Sequence, residues 1–218
     1  METIELFSAR VCPFAHRCRL ALMEKGLPFE VIEIDLRNKP SWYRQVNPEE
    51  AVPALRQGQF MLRESLIINE YIDDLVGEPP LLPASPQGRA QARLWAEFAN
   101  TRFVPLFYRL LKAQGEDDRL AARDNLLSVL SALDAELHHR LQDGGYWLGQ
   151  NVGLTDIAFY PWFERWPVLE HYRGLLIPGE LTSLLRWIET MREREVVKQA
   201  GQTAEFYIAG YEDYARGG

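Results

Sequence analysis

Val11-Cys12-Pro13-Phe14-Ala15-His16-Arg17-Cys18, VCPFAHRC, follows a short apolar run, Ile4-Glu5-Leu6-Phe7, and holds both cysteines of the chain. The run reads as a strand, and Pro13 to Lys25 as a helix stopped by Gly26. Pro13 suits the first helical position, where no N–H is required. Cys12 then lies at or near the N-cap, beside the free N–H groups and the positive end of the helix dipole. Such a site stabilises a thiolate. Arg10 and Arg17 are close, and no carboxylate lies in the adjacent stretch. Position alone leaves two readings of Cys12, a reactive thiol or a small buried capping residue. Cys18 shares one helix face with Phe14, Ala21 and Leu22 and reads as a core residue. Six residues apart, the two sulfurs face different directions. Ala15 stands where a dithiol motif would place its second cysteine, so the spacing describes a single-thiol site. No spaced set of Cys and His suggests a metal. His16 reads as a solvated helix histidine, and His138, His139 and His171 as surface or helix-end residues.

The elements around this stretch fit a small α/β domain. Phe29 to Asp35 alternates apolar and acidic residues and reads as a strand with one covered face. Ser41–Val46 is a short helix, and Ala54–Leu55 and Phe60–Leu62 are short strands around Gln57-Gly58. Ser65–Val76 reads as a helix. Residues 77–88 contain four prolines and two glycines and read as a linker. Beyond it strand signals nearly vanish. Arg89–Gln114 and Asp117–Leu141 read as long helices, the second with a stripe of Leu126, Leu130, Leu133, Leu137 and Leu141. Thr155–Trp166 and Leu181–Met191 read as further helices. The expected division is residues 1–77, a linker over 78–88, and a helical domain over 89–218.

Composition narrows the function classes. The 218 residues carry a net charge of −7 and are 47% hydrophobic, with a pI near 5.2. The chain can build a sizeable core, and it lacks the basic stripe of a nucleic-acid partner. No apolar run approaches the roughly 18 residues of a membrane span. The first ten residues, METIELFSAR, lack a signal-peptide pattern. A soluble chain in a reducing, cytoplasmic compartment is expected.

The strand followed by Ser8 to Leu20 resembles the start of the cytosolic glutathione transferases, specifically the omega-like class with an active-site cysteine. Leu36-Arg-Asn-Lys-Pro-Ser-Trp42 is similar to a segment carrying a glutathione-binding lysine, here Lys39. Asn47-Pro-Glu-Glu-Ala-Val-Pro-Ala-Leu55 resembles the family's loop before a cis-proline, here Val52-Pro53. Arg63 to Asp73 resembles the segment that binds the glutamyl end of glutathione, here Glu64 and Ser65. Pro161-Trp-Phe-Glu-Arg165 resembles a signature lining the second-substrate pocket, to which Phe14 and Trp162 are assigned, with Phe163 and Trp166 in the core.

The resemblance implies a thioredoxin-like α/β N-terminal domain, an all-α C-terminal domain, glutathione as co-substrate and a homodimer. It implies a thiol transferase or dehydroascorbate-type reductase acting through Cys12. Each position has a physical reason. A serine at a helix start suits the γ-glutamyl carboxylate, and Glu64 could hold the ammonium group beside it; an ordinary helix cap would explain Ser65 but not Glu64. An extended Val52 can pair its backbone with the cysteinyl unit like an added strand. Lys39 suits the glycyl carboxylate. Two rivals stand beside this reading. One is a conjugating transferase that activates glutathione with a hydroxyl such as Ser8. The other is a non-catalytic regulatory module on the same fold, as in stringent-starvation-type proteins. The pattern departs from the family at Gly153, where a Ser or Thr would complete a capping box with Asp156.

Overall fold

The computed structural model describes residues 2–141 and 144–217, which form two compact units meeting between Leu82 and Pro83. The first begins with β1 (Ile4–Ser8), α1 (Pro13–Glu24) and β2 (Phe29–Glu33). It continues with α2 (Tyr43–Val46), β3 (Ala54–Gln57), β4 (Phe60–Arg63) and α3 (Ser65–Leu75). The sheet order is β2-β1-β3-β4. β1 pairs in parallel with β2 and antiparallel with β3, and β3 pairs antiparallel with β4. A parallel pair needs a crossover, and α1 supplies it. This is the thioredoxin-like α/β arrangement that the sequence pattern implies.

β1 runs through the interior: Ile4, Leu6, Phe7 and Ser8 are all buried. The chain leaves α1 through Gly26, whose φ of +61° suits glycine. The end of α1 is tied to α3 by a buried ion pair, Lys25 Nζ to Asp73 Oδ1 at 2.8 Å. β2 is shorter than the alternation suggests. Val31 is 47% exposed, whereas Ile34, beyond the strand end, is buried. As an edge strand, β2 leaves part of its apolar set facing solvent.

The second unit is helical. Its first helix, α4 (Pro86–Phe98), starts ahead of Arg89, because Ser85 caps it by accepting a hydrogen bond from the Gly88 N–H at 3.0 Å. The single long helix expected to Gln114 is broken: a π-helical turn at Ala99–Phe103 separates α4 from α5 (Val104–Lys112). Pro105 has no N–H to give Thr101, which accounts for the widened turn. α6 (Glu116–Arg140) buries Leu126, Leu130, Leu133 and Leu137 on one stripe. Acidic residues at its start and basic residues at its end match the dipole.

α7 (Leu154–Glu164) stops before Trp166, where Pro167 lets α8 (Trp166–Arg173) begin afresh. α9 (Thr182–Arg192), α10 (Glu195–Ala200), α11 (Ala204–Gly210) and α12 (Glu212–Ala215) complete the unit. No helix among the described residues is long and apolar enough to cross a membrane.

Asp156 in α7 is the polar centre of this unit. It is buried, and accepts from the Trp147 N–H at 2.9 Å, the Gly153 N–H at 2.9 Å and the Trp187 indole N–H at 2.7 Å. Gly153 has no side chain to return a bond. The bonds from Trp147 and Trp187 instead anchor the Asp156 carboxylate. Burial pushes the Asp156 carboxyl up from 3.8 to about 6, against the pull of its three donors. The folded value exceeds the unfolded one, so the native state binds more protons across that window. The Asp156 contribution to stability therefore falls as pH rises from 3.8 to about 6 and is level above it. Asp156→Ala should cost about 3 kcal/mol at neutral pH by leaving three donors unmet. It should also flatten this part of the pH profile, as read by thermal melting from pH 4 to 8.

Candidate functional site

The site begins where β1 ends. Cys12 caps α1 in an extended conformation with Pro13 in the first turn, and its carbonyl accepts the first helical bond, from the His16 N–H at 3.0 Å. Its own N–H bonds to the Ala9 carbonyl at 2.9 Å. Its side chain makes no capping bond to the helix; Sγ donates to the Val52 carbonyl at 3.7 Å. Cys12 is 9% exposed and packs with Phe7, Ala9, Tyr43 and Val52. The strand-turn-helix read from VCPFAHRC thus delivers the sulfur to the loop before Pro53. The Val52-Pro53 peptide is cis.

Cys18 sits behind, fully buried, its Sγ donating to the Ser65 carbonyl at 3.8 Å. Burial pushes its thiol far up, against the lowering effect of Arg17 and Arg19. Neither cysteine is in a disulfide. His16 departs from expectation: it is fully buried rather than solvated.

Two buried arginines of α1 brace the site. Arg19 donates to Ser8 Oγ at 2.7 Å, to the Ala9 carbonyl at 3.3 Å and to the Arg10 carbonyl at 3.4 Å, fixing the turn that precedes Cys12. Ser8 is completely buried in this contact. It has no exposed surface, which speaks against the Ser8 rival. Arg17 Nη1 donates to Ser65 Oγ at 3.2 Å.

Glu64, not Ser65, occupies the N-cap of α3, with φ 68° and ψ 110°. Such a conformation is costly for a residue with a Cβ. It leaves Glu64 exposed and Ser65 buried in the first turn. Ser65 Oγ thus accepts from an arginine instead of capping its helix, and its proton is left to donate.

The loop from Asn47 to Pro53 is tightly built. Tyr43 Oη donates to the Ala51 carbonyl at 2.7 Å, and Asn47 Nδ2 donates to the same oxygen at 2.8 Å. Asn47 Oδ1 accepts from the Glu49 N–H at 3.1 Å. Arg44 pairs with Glu50 at 2.8 Å and holds that carboxyl below its usual range, with Lys39 adding to the effect. Lys39 itself is exposed, in a segment turned by Asp35 Oδ1, which accepts from the Arg37 N–H at 2.9 Å. Phe14 is half-buried at the start of α1, with the Arg17 guanidinium 5.3 Å from its ring centre. Trp162 is fully buried, as are Phe163 and Trp166 at 2% exposure each. Among the described residues no group of three His, Cys, Asp or Glu side chains gathers as a metal site.

The structure thus brings Cys12 and Val52 into contact and joins Ser65 to α1 through Arg17. Tyr43, Arg17 and Arg19 were not singled out as site residues from sequence. The only hint was their presence beside the motifs.

Comparison with known proteins agrees with this architecture. A family model described as glutathione S-transferase, N-terminal domain matches residues 6–80. A second, glutathione S-transferase, C-terminal domain, matches residues 90–190. The chain is 36% identical over 169 residues to glutathione S-transferase omega-1 of Sus scrofa, covering 77% of this chain and 68% of that one. The chain belongs to the glutathione S-transferase family. It is also 34% identical over 192 residues to glutathione S-transferase U19 of Arabidopsis thaliana, covering 86% of this chain and 84% of the relative. A solved tau-class glutathione S-transferase from mango, Mangifera indica, superposes with a TM-score of 0.91 at 27% identity, covering 98% and 99% of the two chains. The family's co-substrate is glutathione, and likeness extends to both omega and tau members.

The different burial of the two thiols is directly measurable. Iodoacetamide should add one group to the native protein, at Cys12, with Cys18 reacting only after denaturation. Two additions to the native protein would show that the packing of α1 on α3 opens.

Proposed function

We propose that this glutathione transferase is of omega-like type and works as a glutathione-dependent thiol transferase, with Cys12 as its nucleophile. The observation that carries the reading is the placement of the Cys12 sulfur. It sits at the start of α1 against Val52, while Cys18, the other thiol, bonds away toward Ser65. A single sulfur at that place supports mixed-disulfide chemistry resolved by an outside thiol.

In the first step the Cys12 thiolate attacks the glutathione sulfur of a mixed disulfide. A Cys12–glutathione disulfide forms, the original S–S bond breaks, and the acceptor leaves as a thiolate that takes up a proton. In the second, the thiolate of another glutathione attacks the bound glutathione sulfur. Oxidised glutathione departs and Cys12 regains its thiolate. The helix start helps Cys12 both as attacking and as leaving sulfur. A dehydroascorbate-type acceptor would be reduced at the same site, two glutathiones giving up two electrons and two protons.

The residues for glutathione follow from their chemistry. Val52 offers its backbone to the cysteinyl unit beside cis-Pro53. Ser65, with Arg17 donating to its oxygen, can direct its proton to the γ-glutamyl carboxylate. Glu64 suits the neighbouring ammonium, and Lys39 the glycyl carboxylate. Phe14 is assigned to the second substrate, whereas Trp162, fully buried, packs in the helical unit and lines no pocket. Residues 1–77 carry the glutathione site, residues 78–88 the connection, and residues 89–218 the helical part. A cytoplasmic homodimer accompanies this reading.

Exposure to oxidised glutathione followed by intact-mass measurement should show one glutathionyl adduct, mapped to Cys12 and removed by reduced glutathione. Cys12→Ala should lose disulfide reductase activity by at least a hundred-fold, the scale of removing a covalent nucleophile. Full activity in that variant would refute the mechanism, and retained conjugation to an aryl halide would favour the conjugating rival.

A further inference from the structure

We propose that Tyr43 and Asn47 are positioning residues for glutathione: together they fix the Ala51–Val52 peptide so that the Val52 N–H faces the glutathione main chain. The proposal rests on the glutathione reading of the site and adds what holds its backbone donor in place. The Ala51 oxygen has two lone pairs, and two side chains fill them, Tyr43 Oη at 2.7 Å and Asn47 Nδ2 at 2.8 Å. Both side chains are themselves almost fully buried, at 0% and 1% exposure. Their positions are therefore set by packing, and Tyr43 is further held by its ring 5.7 Å from that of Phe7.

That carbonyl belongs to the same planar unit as the Val52 N–H. The cis bonds among the described residues are Val52-Pro53 and Glu78-Pro79, so the Ala51-Val52 bond is trans. In a trans peptide the C=O and N–H point in opposite directions. Pinning the Ala51 oxygen toward Tyr43 and Asn47 therefore aims the Val52 N–H the other way.

Val52 precedes a proline and is restricted to extended conformations. An extended residue presents its own N–H and C=O along the same edge, as in a strand that bonds through both. The Val52 C=O meets Cys12 Sγ at 3.7 Å. The Val52 N–H is thereby presented on the edge where the sulfur lies.

Asn47 adds a second level of control. Its Oδ1 accepts from the Glu49 N–H, and its backbone carbonyl accepts from the Glu50 N–H at 2.9 Å. One side chain thus ties the start of the loop to its end. Tyr43 remains a donor at every physiological pH, because burial pushes its phenol up to about 12, an ionised Cys12 adding to the rise.

The test uses the full chain in a Cys12→Ser background, with binding of reduced glutathione measured by calorimetry. Tyr43→Phe keeps the ring and removes one bond. It should weaken glutathione about five-fold, the worth of one net hydrogen bond. Asn47→Asp keeps the acceptor for Glu49 and loses the donor to Ala51, and should weaken binding at least as much.

S-methylglutathione should lose the same factor in Tyr43→Phe, because the affected contact is to main chain and not to sulfur. The thermal midpoint of Tyr43→Phe should stay within about 4 °C of its parent, the shift that one such bond allows. Unchanged affinity in both variants, or a lower midpoint with unchanged affinity, would overturn the positioning role. A loss confined to glutathione and absent with S-methylglutathione would overturn it as well. A parent that binds neither ligand would instead overturn the glutathione reading on which the proposal stands.

Discussion

Two guanidinium groups buried in the first helix hold the site together. Taking such an ion out of water costs several kcal/mol, which only well-placed acceptors recover. Arg19 finds acceptors on three consecutive residues, Ser8 to Arg10, at the end of β1. Arg17 finds one at the head of α3. Each therefore converts a desolvation penalty into a positional constraint. That makes the turn before Cys12 and the first turn of α3 stiff relative to the loops around them. Cys12 follows one of these junctions, and Ser65 forms the other.

Much of the first unit could be read before its structure. The apolar run, Pro13 and Gly26 placed β1 and α1, and the helix-face count placed Cys18 inside. These features are local, and local sterics decide them. The edge strand was less legible. Val31 and Ile34, three apart, take opposite faces of the chain, and only Ile34, just beyond the strand end at Glu33, is buried. His16 misled for a related reason: a polar residue on a helix reads as solvated until the helix is known to be covered on all sides. Arginines such as Arg17 and Arg19 are assigned to water by the same habit. The contacts that bury them join residues 11 and 48 positions apart, and no periodicity records such pairs.

In the second unit the long helix α6 was legible from its leucine stripe and charge pattern, but the joints and the short helices α8, α10, α11 and α12 were not. Pro105 broke what read as one continuous helix, through a missing N–H and not through any change of hydrophobic period. Asp156 shows the reverse case. Sequence suggested a weakened cap because Gly153 cannot reciprocate. The fold instead anchors the Asp156 carboxylate with an indole from α9, thirty-one residues on. Of the candidate site, the motifs found Cys12 and the Val52-Pro53 loop. They did not reveal that Ser65 takes its hydrogen bond from α1.

Glu64 carries an implication for how this fold can be altered. Its backbone, at φ 68° and ψ 110°, lies where glycine is comfortable and a residue with a Cβ sacrifices on the order of 1–3 kcal/mol. The carboxylate is exposed and contributes nothing to the core. Selection for rigidity alone would drift toward glycine at this position and gain stability by doing so. A chain that keeps glutamate there has given up part of its stability margin for a side chain. Attempts to make the protein more heat-resistant will meet that exchange first at this residue.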